Sequence, residues 1–237
     1  MVDHFERFEK LLQKMVEATA SDLFLSVGNP PRQRINGSLY VGEHRLVEHD
    51  FLDAVLSRIL RPIQREAFER DGEIDLGLST SSAGRFRINV HLQRGALGMV
   101  IRNVPHGSLQ FEELGLPPDL RQFANFSQGL ILVTGATGSG KSTTIAAILH
   151  HINTTQAKHI VTIEDPVEYV HENIRSLVTQ REIGNDTRDF ASALRNVVRE
   201  SPDVIVIGEL RDAETARIAV SAAMTGHLVV VSLHTMD

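Results

Sequence analysis

The chain contains no cysteine. This excludes disulfides and thiolate metal ligation within it, and it fits a reducing compartment. No apolar run approaches the ~20 residues that a membrane-spanning helix needs. Basic residues are outnumbered, 24 lysines and arginines against 30 aspartates and glutamates, for a formal net charge of -6. A molecule with that balance is not built to coat nucleic acid, so no nucleic-acid partner is expected. The first twenty residues lack the acid-free, basic character of a targeting segment. Asp3, Glu6, Glu9 and Glu17 interrupt them, and the expectation is a cytoplasmic chain without a signal or transit peptide. Internal repeats and low-complexity runs are also missing. What is present is an ordinary globular composition, 42% hydrophobic and 23% charged over 237 residues. That is room for two small domains or one large one.

One stretch organises the chain. Gly135-Ala136-Thr137-Gly138-Ser139-Gly140-Lys141-Ser142 reads G-x-x-x-x-G-K-S, the spacing of a phosphate-binding loop. Leu130-Ile131-Leu132-Val133 before it is a short apolar run of strand formers, and Thr143 to Leu149 after it reads as a helix. Strand, glycine loop and helix in that order are the context the motif requires. Glycines let backbone N–H groups turn inward around a phosphate, and the helix N-terminus adds partial positive charge. Lys141 has the reach for β- and γ-phosphates, and the Ser142 hydroxyl suits Mg²⁺. ATP and Mg²⁺ are the expected ligands.

Either side of residues 105–118 the patterning differs. Phe5, Phe8, Leu11, Leu12, Met15 and Val16 recur at helical spacing and predict an amphipathic helix over 4–19. Strands are expected over 23–27, over a 33–40 hairpin turning at Asn36-Gly37, and over 74–78, 85–92 and 97–104. Two helices, 51–60 and 62–70, break at Pro62. Residues 1–105 therefore form a small α+β domain, and 106–118, with Gly107, Gly115, Pro117 and Pro118, is a linker. From 119 to 237, strands at 129–134, 159–164, 204–208 and 228–233 alternate with helices at 141–153, 188–199 and 213–224. That alternation predicts an α/β domain with a parallel sheet, and ligands of such sheets gather at the carboxyl ends of strands.

The polar signals are expected at those ends. Val204 to Ile207 delivers Glu209 beside the phosphate loop, where a glutamate holds Mg²⁺ through water or polarises the attacking water. Glu209 and Ser142 are thus the expected metal contacts. Ile160 to Ile163 delivers Glu164, Asp165 and Glu168. Three acids at one strand end need a cation or a tuned base, so Glu164 and Glu168 rival Glu209 for positioning water; an exposed acidic turn at Pro166 is the plainer alternative. His227 precedes the strand that His234 ends, and either imidazole suits a γ-phosphate or subunit-interface sensor better than a metal. His150-His151 is read as a structural pair closing a helix, where positive charge suits the dipole. Arg85, Arg87, Arg94 and Arg102 lie on or beside strands of the first domain, Arg85 and Arg87 sharing a face. Any of them could serve as an arginine finger or simply line a solvated sheet face.

The succession GATGSGKSTT, TIEDPVEYVH, SPDVIVIGELRD and TGHLVVVSLHT resembles the Walker A, Asp, Walker B and His boxes of the secretion-type hexameric ATPases. SDLFLSVGNPPRQRINGSL and GRFRINVHLQRG are similar to the short N-terminal domain of the type IV pilus retraction branch, PilT/PilU-like. VTQREIG and DFASALRNVVRESPD extend the resemblance across essentially the whole chain. It implies a PAS-like N-terminal domain, a RecA-like P-loop ATPase domain and a homohexameric motor binding ATP between them. It also implies an inner-membrane pilus platform protein as partner, a place in the cytoplasm at the pilus base, and room for a paralogous motor ATPase beside it. By the same resemblance Arg87 and Arg102 match the arginines that reach nucleotide phosphates. Glu209 matches the Walker B glutamate, Glu164 and Glu168 the Asp-box acids, and His227 and His234 the His-box pair; the loop contacts run from Gly135 through Thr143. The family continues past the His box into a helical region, so a truncated form is expected. The function implied is an ATP-hydrolysing pilus retraction motor. The alternatives are a PilU-like accessory subunit and a pilus-assembly or type II secretion ATPase.

Overall fold

Asp3 accepts a hydrogen bond from the Phe5 backbone and starts α1, His4–Glu17. Phe8, Leu11, Leu12 and Met15 form the buried stripe of that helix, which is what the 3.6-residue period dictates. This computed structural model describes residues 3–104 and 109–235. Two units emerge, Met1–His106 and Gly107–Asp237; the expected boundary at 105, with Gly107, lies outside the described residues.

In the first unit β1 (Asp22–Ser26), β2 (Arg32–Ile35) and β3 (Ser38–Val41) follow α1. Asn36 and Gly37 both have positive φ, 49° and 81°, the geometry of a two-residue hairpin turn whose twist matches its strands. Helix α2 (His49–Ile59) ends at an extended Leu60, and α3 (Pro62–Asp71) begins on the proline, whose missing N–H costs nothing at a first helical position. Strands β4 (Glu73–Thr80), β5 (Gly84–Gln93) and β6 (Ala96–Val104) complete an antiparallel sheet of order β3-β2-β1-β6-β5-β4. Leu23, Leu25, Phe86, Ile88, Val90, Met99 and Ile101 share a core with Phe8 and Phe51 of the helices. Burying each large apolar side chain there contributes roughly 1.5–3 kcal/mol. The opposite face carries the arginines: Arg87 is the direct cross-strand partner of Arg102, and Arg102 of Asp22.

The second unit has a 3-10 helix, Pro118–Asn125, that starts on the last residue of the expected linker and runs through a stretch to which the sequence reading assigns no element. Its parallel sheet has the order β7-β11-β10-β8-β9, built from β7 (Gly129–Gly135), β8 (His159–Glu164), β9 (Leu177–Glu182), β10 (Val204–Ile207) and β11 (Leu228–His234). Helix α4 (Lys141–Thr155) packs Ile145, Ile148 and Ile152 on one face, against Ile160, Val206 and Val230. Helices α5 (Phe190–Val197) and α6 (Ala213–Met224) cover the other, over Val161, Ile205 and Val229. Being buried on both faces, β10 is an unbroken apolar run. Strand β9 was not expected: it forms an edge of the sheet and reads Leu-Val-Thr-Gln-Arg-Glu, with no apolar run to betray it. Registers align Glu164 beyond Ile163, Ile207 beside Ile163 and Val231, and His234 beside Gly135. Four chain segments therefore converge on one end of the sheet.

Candidate functional site

The phosphate loop is the turn between β7 and α4. Gly138 and Gly140 have φ of 78° and 93°, values that side chains disfavour. Gly135 has little room as well, because a Cβ there would stand 2.7 Å from the Ser139 Oγ. Lys141, only 8% exposed, donates from Nζ to the carbonyls of Gly135 at 2.9 Å and Ala136 at 2.8 Å. Its ammonium is held against the backbone of the loop itself. Ser142 and Thr143 are half-buried in the first turn of α4.

From Lys141 a row of polar contacts crosses the strand ends. Lys141 Nζ lies 3.3 Å from His234 Nδ1, and His234 Nε2 lies 3.2 Å from Glu209 Oε1. An ammonium only donates, so Nδ1 accepts and Nε2 carries the hydrogen toward the carboxylate. The other Glu209 oxygen, Oε2, accepts from Arg211 Nε at 2.7 Å, while Arg211 Nη1 donates to Asp165 Oδ2 at 3.0 Å. The structure thus links the ends of β7, β11, β10 and β8.

Glu164 stands apart in character. Its Oε1 accepts from Thr162 Oγ1 at 2.6 Å and Gln180 Nε2 at 3.1 Å, and its Oε2 from the Glu168 backbone at 3.3 Å. Burial nonetheless pushes its carboxyl above the ordinary range, with those hydrogen bonds opposing the shift. A carboxyl tuned upward at a strand end is what a proton-accepting role requires. Glu168 itself is exposed. Its loop is tied back by Gln180, which also donates to the Tyr169 carbonyl at 2.8 Å.

Gly208 allows this convergence. A Cβ on it would lie 3.2 Å from the Glu164 Cα and 3.3 Å from the Ile163 carbonyl oxygen, so β10 approaches β8 closely just where both deliver acids.

His227 is not among the gathered residues. It precedes β11 at the amino end of the sheet, its carbonyl accepting from Gly129 and its Nδ1 lying 3.0 Å from the Ala222 carbonyl. The expectation that every polar signal falls at the carboxyl ends is corrected for this residue: His227 precedes the first residue of β11, and His234 is its last. The His150-His151 reading is corrected too. Helix α4 continues to Thr155, and burial with Arg121 nearby lowers the His151 pKa, disfavouring the cationic form.

In the first unit Arg102 Nε donates to Asp22 Oδ1 at 3.0 Å, and Arg34 approaches Asp22 Oδ2 at 3.5 Å. Arg87 stands beside Arg102 across the strands. Arg85 donates to the Ser79 hydroxyl, and Arg94 occupies a positive-φ turn position before Ala96.

Sequence reasoning missed Arg211, Tyr169 and Gln180. Arg211 had a signal, since a cation two residues beyond a strand-end acid is placed to meet it. Tyr169 had none, because its partner is Thr143, joined only by the tertiary fold at 2.8 Å.

The chain matches the family model described as Type II/IV secretion system protein over residues 4–237. It is 45% identical to the type IV pilus retraction ATPase PilT of Pseudomonas aeruginosa, over 95% of this chain and 66% of that protein. It is 42% identical to the type IV pilus ATPase PilU of the same organism, over 96% of this chain and 59% of that protein. The chain therefore spans less than two thirds of either. Among solved structures, the pilus retraction motor PilT with bound ADP superposes with a TM-score of 0.89 at 44% identity, over 95% of this chain and 66% of that one. The Legionella pneumophila ATPase DotB superposes with a TM-score of 0.86 at 30% identity, over 97% of this chain and 66% of that one.

Proposed function

Because this chain belongs to the Type II/IV secretion system protein family and has the RecA-like ATPase fold of its solved relatives, we propose that it is an ATP-hydrolysing motor subunit that powers type IV pilus retraction. The row Lys141, His234, Glu209, Arg211 and Asp165 is the observation that carries the reading. It gathers the ammonium of the phosphate loop, a polarisable imidazole and two carboxylates at one sheet end, the parts that phosphoryl transfer to water needs.

In this reading the backbone from Gly135 to Thr143 holds the phosphates of ATP, and Lys141 leaves the two loop carbonyls to meet them. Bound Mg²⁺ supplies charge that neutralises the phosphate oxygens. The Ser142 hydroxyl and the Glu209 carboxylate are hard oxygen donors that suit it. Glu209 orients the attacking water, with Glu164 and Glu168 as the rival acids and Glu164 the better tuned. His234 senses the γ-phosphate through its contact with Lys141, and His227, at the far sheet end, serves a subunit contact. Arg87 and Arg102 of the first unit stabilise charge on the transferring phosphoryl group, and a homohexamer supplies the pairing of sites. Among the described residues no helix is long and apolar enough to cross a membrane. The subunit works from the cytoplasm against an inner-membrane pilus platform protein.

The 42% identity to PilU favours one second reading, an accessory subunit that joins a paralogous motor. Lys141→Ala tests the first. ATP turnover is expected to fall by about two orders of magnitude, and specific activity of the unaltered protein to climb with concentration as rings form. Unchanged turnover in the variant would remove the phosphate loop from the chemistry. Turnover appearing only after mixing with a paralogous motor would favour the accessory role.

A further inference from the structure

Arg211 has a fixed root and a displaceable head. Before it, the backbone is pinned to β11: Leu210 donates to the Ser232 carbonyl at 3.0 Å, and the Ser232 hydroxyl donates to the Gly208 carbonyl. After it, Asp212 caps α6 by accepting from the Thr215 backbone at 2.8 Å. Between those anchors the guanidinium forks, Nε to Glu209 and Nη1 to Asp165. Its two partners come from different strand ends, β10 and the loop after β8. The Arg211 side chain is 55% exposed and Glu209 24%.

These facts set up a competition. Glu209 has one oxygen on His234 and the other on Arg211. Each oxygen keeps a second lone-pair site, but a hydrated dication brought to Oε2 meets the Arg211 guanidinium already there, and the two positive charges repel. Arg211 is always charged, so no change of pH removes it. An ion pair this exposed is weak and screened, whereas a dication with its water shell carries twice the charge to the same oxygen.

We propose that Arg211 is a positioning residue which, anchored by Asp165, occupies the Glu209 oxygen that a divalent cation competes for. Cation binding and release of Arg211 are then one event. Release of the Glu209 oxygen leaves Arg211 on Asp165, so the displaced guanidinium stays tethered to the loop after β8. This inference rests on the proposed ATPase reading, because it needs a nucleotide-bound cation near Glu209.

The test reads cation binding rather than turnover. Mn²⁺ is titrated into the protein with one equivalent of a non-hydrolysable ATP analogue, and the free ion is followed by electron paramagnetic resonance. Arg211→Gln is expected to lower the half-saturating Mn²⁺ concentration about three- to fivefold. Arg211→Lys, which keeps the charge, is expected to stay within about twofold of the unaltered protein. Asp165→Asn, which removes only the anchor, is expected to tighten Mn²⁺ about twofold and supports the inference even should Arg211→Gln melt early. Analogue affinity in chelator is expected to be the same in all. Unchanged or weaker Mn²⁺ binding in Arg211→Gln, or weaker binding in Asp165→Asn, overturns the clamp and leaves the ATPase reading standing. No protein-dependent Mn²⁺ binding in the unaltered chain overturns both.

Discussion

The Tyr169 hydroxyl lies 2.8 Å from the Thr143 hydroxyl, joining the loop after β8 to the first turn of α4. A half-buried pair of hydroxyls contributes about 1 kcal/mol. Tyr169→Phe removes it without opening a cavity. The expected result is about fivefold weaker nucleotide binding by titration calorimetry, as the helix start that faces phosphate loses a brace. Thr143→Val should give a similar loss, and the double variant no more than either single one. Full additivity would mean that the two hydroxyls act separately.

Gly208→Ala tests the close approach of β8 and β10. The new methyl meets the backbone of β8 at two atoms, Glu164 Cα and the Ile163 carbonyl oxygen, and backbone cannot rotate aside. The strands must part by a few tenths of an ångström, at a cost of about 1–3 kcal/mol. Urea midpoints should fall accordingly. Turnover should fall further than stability explains, because Glu209 and Glu164 shift relative to each other. A variant as stable and active as the parent would show that the strand ends have slack.

Two buried groups give opposite pH limbs. Glu164 is held above its ordinary value by burial, so its folded form prefers the proton. The stability it contributes is present in acid and is lost as pH rises from the usual carboxylate range through the folded value. Glu164→Gln should therefore raise the melting temperature at neutral pH, with the gain shrinking as pH falls toward the ordinary carboxylate value. His171 is lowered from 6.5 to about 4, by burial first and by His150 second. Its contribution is present above 6.5 and is lost as pH falls toward about 4, a range worth at most about 3 kcal/mol. His171→Asn should flatten that acid limb in thermal melts. A gain from Glu164→Gln that grows in acid, or an acid limb untouched by His171→Asn, would contradict these assignments.

What the sequence disclosed follows from how each feature is encoded. The phosphate loop is written in consecutive residues, because glycine φ values and a helix start are local. Strands β8, β10 and β11 were legible since burial on both faces demands apolar runs. Strand β9 escaped because an edge strand needs no such run. The pairing of Arg87 with Arg102 across β5 and β6 was half visible: alternation places each on the polar face, but only register makes them neighbours. His227 misled because it is adjacent in sequence to a strand whose far end holds His234. Its distance from the loop is a property of strand direction, which residues alone do not print.

Strand β7 pairs in parallel with β11 alone among the described strands, its Gly135 beside His234. Strand β7 therefore gains no strand partner until about a hundred further residues, β8, β9 and β10 among them, have been made. During synthesis, the emerging chain displays its most recognisable motif early and acquires a shaped binding surface late. Such long-range closure is slow, and a partly made chain exposes unpaired strand edges meanwhile. On the proposed function, nucleotide would grip only those molecules in which β11 has taken its place between β7 and β10.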